Sequence, residues 1–570
     1  MSSIDQKNLL AFGIDLGTTN SAIAVVGNGN KPDIISVDGQ STMPSCVMWN
    51  GGNNFVVGSE AFKHRDRPNV CYSVKRLMGT DKKVKLIYDG IEREFAPWEM
   101  SREILKALVE KAKVGLYKDI NDVVISVPAY FSDKQISDTL KAGKAAGLNV
   151  LSLIKEPTAA CLLYNQQFES SGSKTVLVYD LGGGTFDISV VMISNTGNTN
   201  SEIAALYDLV SVESKTLFSV LKVSGDPRLG GDDVDSELLS RILDNLAKQN
   251  INKGDITRGM RERLLLRAEY AKKKGIAAYM ETMTFNNKTA EFTLNPSDFY
   301  VAFDSVYNKT KRLLDNVLSD SALFKIDQII TIGGSTKSEY IRSKLQNDFP
   351  GVSINFGLNP DESVALGAAI QAKRLKFGDD TVNVLDCLPM DIGVISEDFV
   401  DPILKAGMQI PCTVSRTFLT QEKGQNQVEL LFYQGNSRYS EECEFLGSLK
   451  LDNTALTDTS HSRVLVELSI DSNGLLVVKS AAGNSGLQRR ELVNLLGKTS
   501  VDTPKITADK RVIRWKSFAN RLEPDKKEEL LCLLDLYIDG LVNESDVVSF
   551  IRDNKPTVEV STDFKVRYDD

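Results

Sequence analysis

Histidine is nearly absent from this chain of 570 residues, which contains only His64 and His461. A catalytic triad that uses histidine, or a metal centre with several histidine ligands, therefore has almost nothing to build on. Cysteine is also sparse. Its seven positions are scattered along the chain, and none forms a C-x-x-C pair. This spacing argues against a zinc site and a disulfide framework, and it predicts reduced thiols in a cytoplasmic protein.

Long hydrophobic runs are missing as well. No stretch approaches the roughly 18 apolar residues of a membrane-spanning helix. The opening "MSSIDQKNLL" has no basic region followed by a long apolar run, so no secretory signal is expected. The formal net charge of −9 argues against nucleic acid as the main partner, since a phosphate backbone attracts basic surfaces. We therefore expect neither a membrane nor a nucleic acid among the partners.

What is present changes in texture along the chain. Strand and helix patterns alternate up to about Gly378, which predicts an α/β architecture. Short apolar runs separated by Gly, Asn and Asp follow, which predict an all-β unit, and helical patterns return from Thr507. The predicted parts are an α/β domain at 1–379, a linker at 380–387, a β domain at 388–500 and a short helical tail at 501–570.

Two related glycine turns stand out in the first part. "VLVYDLGGGTFDISVVMI" at 176–193 and "FGIDLGTTNSAIAVV" at 12–26 share the sequence D-L-G at the end of an apolar run. Consecutive glycines after a strand let backbone N–H groups converge without Cβ clashes, and such a nest suits phosphate oxygens. The turns contain neither a Walker motif nor G-x-G-x-x-G. We therefore predict two hairpins that grip one triphosphate from two duplicated halves.

An acid precedes each turn, namely Asp15 and Asp180, and Asp187 is a third candidate. A carboxylate at this place would repel bare phosphate, so the pattern suggests hydrated Mg²⁺ between them. A single D-L-G is more often a hairpin turn with a solvated aspartate. The two copies, together with "LGGDD" at 229–233 and "IGGST" at 332–336, make that alternative improbable.

Six motifs occur in the order used by the seventy-kilodalton heat-shock chaperones of the DnaK type. They are "GIDLGTTNS", "SVPAYFSD", "KEPTAACLLY", "VYDLGGGTFDISVV", "LGGDDVD" and "TIGGSTKSEYI". The chain resembles that family to about Gly497, and its short length most resembles the short-lidded HscC branch. The resemblance implies an α/β actin-like, two-lobed ATPase domain, followed by an all-β sandwich that binds peptides and a short α-helical lid.

The resemblance also implies the catalytic residues, which are Lys75, Glu156, Asp180, Thr185 and Asp15. Lys75 would lie beside the γ-phosphate, where loss of such a cation costs on the order of a few kcal/mol of barrier. Glu156 would orient the attacking water with Asp180 and Thr185. Asp15 and Asp180 would position Mg²⁺ through water, with K⁺ nearby. The implied phosphate-binding residues are Thr18, Thr19, Gly182, Gly183, Gly184 and Thr185.

Adenine and ribose of ATP or ADP would contact a further set, which is Gly231, Glu269, Lys272, Lys273, Gly334, Ser335, Lys337 and Asp361. Lys273 and Lys337 stand where the family usually sandwiches adenine between two arginines. Lysine lacks the planar guanidinium that stacks on a base, so we expect weaker nucleotide affinity than in typical relatives. Ile276 also replaces a serine that usually bonds the base.

Departures also occur at positions that couple the domains in the family. The interdomain residues implied by the resemblance are Pro128, Val382, Val384, Leu385 and Asp386. Asn383 replaces a linker leucine, and burying its amide unpaired would cost about 1–3 kcal/mol. Ile136 replaces the arginine partner of Pro128, and Ser152 replaces an arginine that contacts J-domain co-chaperones. We therefore expect weak coupling between the domains or coupling through other contacts.

Phe418, Val428 and Leu430 match positions that line the peptide groove, and an ordinary core role stays open as the alternative for each. The function implied is an ATP-dependent chaperone for unfolded polypeptides, with a J-domain co-chaperone and a nucleotide-exchange factor as partners. The β domain argues against a small-molecule kinase or an actin-like filament protein. A nucleotide-binding holdase or scaffold with weak coupling stays open as the alternative.

Overall fold

The structure is a computed structural model that describes most of the chain up to residue 492. The described residues are 10–27, 30–116, 119–168, 172–195, 216–285, 288–319, 325–378, 382–396, 399–420, 423–425, 427–452, 462–482 and 490–492, with isolated positions between 526 and 550. The helical tail predicted at 501–570 lies outside them, apart from those isolated positions. Among the described helices, none has the length and apolar character that crossing a membrane requires.

The described strands are β1 Ala11–Asp15, β2 Asn20–Val26, β3 Pro32–Ile34, β4 Met43–Pro44, β5 Cys46–Trp49, β6 Phe55–Val57, β7 Val70–Tyr72, β8 Val84–Tyr88, β9 Ile91–Phe95, β10 Asp122–Val127, β11 Asn149–Lys155, β12 Ser173–Leu181, β13 Phe186–Asn195, β14 Thr216–Asp226, β15 Tyr279–Phe285, β16 Lys288–Leu294, β17 Gln328–Ile332, β18 Ser353–Asn355, β19 Val382–Cys387, β20 Ile392–Ser396, β21 Phe399–Leu404, β22 Gln409–Ile410, β23 Cys412–Leu419, β24 Gln427–Gln434, β25 Glu444–Asp452, β26 Arg463–Ile470, β27 Leu476–Ala482 and β28 Arg490–Leu492.

The described α-helices are α1 Ser59–Phe62, α2 Pro97–Leu116, α3 Asp133–Ala145, α4 Glu156–Gln167, α5 Gly231–Ala247, α6 Arg258–Lys274, α7 Pro296–Leu318, α8 Glu339–Asp348 and α9 Ser363–Phe377. Short 3-10 helices occupy Val74–Leu77, Lys253–Asp255, Gly334–Lys337 and Ser440–Glu442.

Two mixed sheets in the first part of the chain share one topology. Their strand orders are β11-β10-β1-β2-β3, with β4 paired to β2, and β18-β17-β12-β13-β14-β19-β22. Each sheet contains an antiparallel hairpin, β1–β2 or β12–β13, whose first strand has a parallel neighbour on its other side. The predicted duplication is therefore confirmed, and both D-L-G sequences lie at the same place, where the first hairpin strand ends.

The central strands of these sheets contain continuous apolar runs. In β12, Val176, Leu177, Val178 and Tyr179 are fully buried, so both faces of the strand are covered. Such near-continuous apolar runs are typical of strands with helices packed on both faces of the sheet. The result is a rigid support for the turn that follows each run.

Helices α4 and α9 pack against each other between the two sheets. A Cβ atom at Gly367 in α9 would lie 1.9 Å from the carbonyl oxygen of Ala159 in α4. A Cβ atom at Gly13 in β1 would lie 2.0 Å from the backbone nitrogen of Ala369. Glycine at both positions lets the backbones approach closely, so α9 rests on α4 and on the first sheet together.

The short apolar runs of the predicted β domain form two four-stranded sheets, β21-β20-β24-β25 and β23-β26-β27-β28. We call strands β20, β21 and β23–β28 the β unit. Phe432 and Leu449 of the first sheet share one apolar core with Val466 and Leu468 of the second. The all-β character predicted from the short apolar runs is therefore confirmed for the described residues.

The linker is part of the large second sheet. Strand β19 pairs in parallel with β14 and in antiparallel with β22. Asn383 lies opposite Leu217 in this pairing and is half-buried. The expected cost of an amide in place of leucine therefore does not prevent the linker from docking on the sheet.

Candidate functional site

A cavity of about 1130 Å³ lies between the two hairpins, and we call it the cleft. Residues of both sheets line it, together with residues of α5, α6 and the 3-10 helix at Gly334–Lys337. The residues that the sequence assigned to catalysis and to nucleotide binding all line the cleft, with the exception of Gly184. Two duplicated turns and several distant segments are thus brought to one place.

The two glycine turns face each other across the cleft. In the second turn, the Gly182 N–H donates to the Thr185 carbonyl oxygen at 3.0 Å. A Cβ atom at Gly183 would lie 2.0 Å from Thr19 Oγ1, and one at Gly184 would lie 2.5 Å from Thr18 Cγ2. Glycine is what allows this approach. Gly184 thus packs behind the cleft wall, where it supports the turn.

The turns carry a polar atom that fits a phosphate group. Thr19 Oγ1 is buried and finds no hydrogen-bond partner among the described residues. A buried hydroxyl without a partner costs free energy unless a ligand satisfies it. The Thr19 hydroxyl, the glycine cradle and the hairpin backbone therefore suit an anionic ligand such as a polyphosphate.

Lys75 is the cation of the cleft floor. Its Nζ donates to Glu156 Oε1 at 2.6 Å, and the two side chains are only 6% and 8% exposed. Burial alone would lower the pKa of Lys75, but the carboxylates of Glu156 and Asp15 outweigh it and raise the pKa. Lys75 is therefore held as a cation next to the turns and is not a solvated surface lysine.

Four carboxylates gather beside Lys75. Oxygens of Glu156, Asp180 and Asp187 all lie within 4.8 Å of one another. Burial and the charge of Glu156 raise the pKa of Asp187 to about 7, and they raise the pKa of Asp180 well above its usual value. Asp15 is only partly covered from solvent, yet the protein atoms packed around it and Glu156 raise its pKa to about 6. Like charges so close together suit a divalent cation.

The hydroxyl of Ser126 donates to Asp15 Oδ1 at 2.7 Å, and the Tyr130 N–H donates to Asp187 Oδ1 at 2.9 Å. Sequence reasoning missed Ser126, because a lone serine in a buried strand carries no signal of its own. The two bonds fix the orientation of both carboxylates in the cleft.

The opposite end of the cleft, which we call the base end, holds the residues assigned to adenine and ribose. Glu269 Oε1 accepts from Lys273 at 2.7 Å, and Glu269 Oε2 accepts from Arg65 at 2.9 Å. Burial alone would raise the pKa of Glu269, but Arg65 and Lys273 outweigh it and lower the pKa. Lys337 forms an ion pair with Asp361. Sequence reasoning missed Arg65, because it lies 204 residues from Glu269 along the chain.

Other residues of this end are held by polar contacts. Lys272 Nζ donates to Asp235 Oδ2 at 2.7 Å and to the Gly231 carbonyl oxygen at 2.9 Å. Ser335 Oγ donates to the Gly182 carbonyl oxygen at 2.8 Å, which ties the base end to the second turn. The predicted set is therefore one connected wall of the cleft.

The predicted peptide-binding residues lie in the β unit at the edge of its core. Leu430 is buried in the shared core, and Phe418 and Val428 pack against it while half-buried. Such positions suit either a core role or the floor of a groove, so the peptide contacts stay a prediction.

Two of the departures from the family pattern, at Ile136 and Ser152, lie where the β unit meets the first part of the chain. Ser152 Oγ donates to Asn473 Oδ1 at 2.9 Å, and the Leu153 N–H donates to the same atom at 3.1 Å. A Cβ atom at Gly474 would lie 3.3 Å from Ile136 Cδ1. Both substituted positions thus contact one turn of the β unit. Pro128 is buried in the loop after β10.

Comparisons with known proteins agree with this arrangement. A family model described as "Hsp70 protein" matches residues 11–529. The chain is 32% identical over 524 residues to Chaperone protein DnaK of Mycoplasmoides gallisepticum, with 90% of this chain and 84% of the relative covered. It is 32% identical over 559 residues to Heat shock 70 kDa protein 6, chloroplastic, of Arabidopsis thaliana, with 92% and 73% covered. It is 31% identical over 578 residues to Chaperone protein dnaK of Gracilaria tenuistipitata var. liui, with 95% and 87% covered. The resemblance predicted from the motifs is confirmed, and the chain belongs to the Hsp70 family.

Proposed function

We propose that the protein is an ATP-dependent molecular chaperone that binds short extended apolar segments of unfolded polypeptides and releases them in a cycle of ATP hydrolysis and nucleotide exchange. Membership of the Hsp70 family supports Mg²⁺-dependent hydrolysis of ATP to ADP and phosphate. The observation that carries the proposal is the buried Lys75–Glu156 pair beside both glycine turns. A fixed cation at this place suits the charge that develops on a transferring phosphoryl group.

Each part of the chain has a role in this proposal. Residues 1–379 are the actin-like two-lobed ATPase domain, which the shared topology of the two sheets supports. Residues 380–387 are the linker, and 388–500 are the β-sandwich that binds peptides, which the two sheets over one core support. Residues 501–570 are the short lid and tail, a role that rests on the sequence pattern alone.

In the proposed reaction, backbone N–H groups of the turns and the hydroxyls of Thr18 and Thr19 hold the phosphates of ATP. Lys75 offsets charge on the γ-phosphoryl oxygens, and Glu156 orients the attacking water with Thr185. Asp15 and Asp180 are the residues that would hold Mg²⁺ through water, and the ion supplies charge neutralisation between carboxylates and phosphates. We also propose that K⁺ ions bind near Asp15 and Asp180.

An extended client peptide would bind in the β unit through main-chain hydrogen bonds and a few apolar pockets, with Phe418, Val428 and Leu430 as candidates for the pockets. A J-domain co-chaperone, a nucleotide-exchange factor, a cytoplasmic location and the HscC-like branch belong to the same proposal. The uncoupled holdase is not favoured, since the linker pairs with β14 and the β unit contacts Ser152.

Single-turnover hydrolysis of ATP by the full chain, with and without excess apolar model peptide, tests this function in the presence of Mg²⁺ and K⁺. We expect hydrolysis that accelerates when the peptide is added. A mock preparation, purified in parallel from cells that do not express the protein, serves as the blank for contaminating ATPases. A hydrolysis rate that does not change when peptide binds would favour the holdase. A rate no higher than that of the blank would refute the ATPase activity.

A further inference from the structure

Three aromatic side chains line the cleft beside the base end and are not used by the proposed reaction. They are Tyr300 and Phe303 of α7 and Tyr340 of α8, which follows shortly after Lys337 in the chain. The cleft volume of about 1130 Å³ exceeds the roughly 300–1,000 Å³ of an ordinary small-molecule pocket. The cleft therefore extends past the residues assigned to adenine and ribose, and we call these three side chains the aromatic wall.

Two rings of the aromatic wall are held in place by their neighbours. Phe303 is only 5% exposed, and its ring stacks on that of Tyr340 with 5.6 Å between the centroids and 28° between the planes. The Tyr340 hydroxyl donates to Asp304 Oδ1 at 2.5 Å. Lys344 Nζ forms an ion pair with the same oxygen at 3.1 Å and lies 5.2 Å from the centroid of the Tyr340 ring. A wall that is ordered in advance reduces the entropy that a ligand loses on binding.

Tyr300 is the exposed ring of the aromatic wall. Its centroid lies 5.6 Å from that of Tyr340, with 49° between the planes, and the residue is 48% exposed. A single exposed tyrosine on a protein surface carries no functional signal. Tyr300 differs because it lines the cleft and rests against a ring that is itself held in place. Its exposed surface therefore suits a flat group of a ligand in the cleft.

The other residues of this region favour a flat apolar group over a further charge. Ile276 and Ala277 also line the cleft, and Ile276 packs against a buried apolar core. Lys273 and Lys337 already form ion pairs, and an ammonium group has no planar surface on which a base could stack. The base is the flat part of a nucleotide, and every base has a face that stacks on aromatic rings.

We propose that Tyr300 binds the base of the nucleotide, which stacks on its exposed ring while Tyr340 and Phe303 support that ring from behind. The inference rests on the proposed function and adds to it the residue that sets affinity for the base. A purine has a larger face than a pyrimidine, so stacking on Tyr300 also favours adenine nucleotides over cytosine nucleotides.

Titration calorimetry on the full chain, with Mg²⁺ present, tests this contact with two probes. ADP carries a base, and inorganic tripolyphosphate does not. We expect Tyr300→Ala to weaken ADP binding by about tenfold, because the stacking surface is lost, and to leave tripolyphosphate binding within twofold of the wild type. Tyr300→Phe keeps the ring and should bind ADP within twofold of the wild type.

The matched control is Tyr88→Ala, which removes another exposed tyrosine, in β8 and outside the residues that line the cleft. It should bind both probes like the wild type. Thermal unfolding of each variant shows whether the chain is folded before it is titrated.

Base selectivity gives a second readout, which a merely structural role of Tyr300 would not change. The ratio of the Kd for CDP to the Kd for ADP should fall by about threefold in Tyr300→Ala, because the larger purine loses more stacking than the pyrimidine. Tyr300→Phe should keep the ratio of the wild type.

ADP binding by Tyr300→Ala within twofold of the wild type overturns the inference. An equal loss of affinity for ADP and tripolyphosphate also overturns it, since the whole cleft would then be altered, and so does Tyr300→Phe that behaves like Tyr300→Ala. Failure of the proposed function is a separate result. A wild type that binds neither probe refutes nucleotide binding as a whole, whereas ADP binding that does not depend on Tyr300 refutes this inference alone.

Discussion

The two ends of the cleft hold their charges in different ways. At the phosphate end, Lys75 and Glu156 form an ion pair in which both side chains are almost fully buried. At the base end, Lys273 and Lys337 also form ion pairs, but their side chains are 62% and 48% exposed. Water screens exposed pairs, so they contribute little, whereas a buried pair cannot lose one partner without a large cost.

This difference matches the places where the sequence departs from its family. By the resemblance of the motifs, the phosphate turns, Lys75 and Glu156 match the family pattern, while Lys273, Lys337 and Ile276 are expected departures at the base end. A buried charge constrains every neighbour, so we expect substitutions there to be costly. An exposed lysine constrains little, and exchange with arginine alters affinity without endangering the fold.

The strongest test of the comparison is Lys75→Met. We expect the single-turnover rate of ATP hydrolysis to fall by about 10²–10³-fold, because the charge on the γ-phosphoryl oxygens loses its nearest protein cation. The matched control is Lys83→Met, an exposed lysine a few residues along the chain, which should hydrolyse ATP like the wild type.

Lys75→Met should also lose thermal stability, since Glu156 is left as a buried charge without its cation. The double variant Lys75→Met with Glu156→Gln separates the two effects. It should recover much of the lost stability in thermal unfolding but none of the activity. Activity retained by Lys75→Met would show that this pair is structural only.

The sequence predicted what is local and repeated. Both hairpins follow from apolar runs that end in D-L-G, because strand pattern and glycine turns are encoded by neighbouring residues. The sequence did not predict the Arg65–Glu269 bond, whose partners lie 204 residues apart and meet only when the cleft forms. Burial of Lys155 was equally hidden, because a lysine at a strand end is usually solvated.

The second prediction concerns the pH dependence that buried acids bring to the phosphate end. The pKa of Asp187 is about 7 in the folded chain, against about 3.9 in an unfolded one. Between these values the folded state binds the extra proton, so stability falls as pH rises from 4 towards 7 and stays low above it. Protein without nucleotide or Mg²⁺ should therefore become more stable as pH drops from 8 to 6.

Asp187→Asn removes this titration. The variant should be more stable than the wild type at pH 8, and the gap in unfolding free energy should shrink by about 1 kcal/mol at pH 6. Denaturant unfolding at both pH values measures it, with exposed Asp244→Asn as the control. Parallel pH curves for wild type and Asp187→Asn would contradict the raised pKa.

The smallest effect belongs to the base end. Replacement of Lys273 and Lys337 by arginine should tighten ADP binding by a few fold, since a guanidinium stacks on adenine and a lysine ammonium does not. The gain is limited because both side chains are exposed and already paired, Lys273 with Glu269 and Lys337 with Asp361. Titration calorimetry with ADP measures the change, and Lys248→Arg, on the surface after α5, is the matched control.

The single-turnover rate at saturating ATP should stay within about twofold of the wild type, because these contacts lie away from the γ-phosphate and act equally on ground and transition states. Arginine variants that bind ADP like the wild type would mean that the lysines do not face the base, and the contrast between the two ends would then rest on the phosphate end alone.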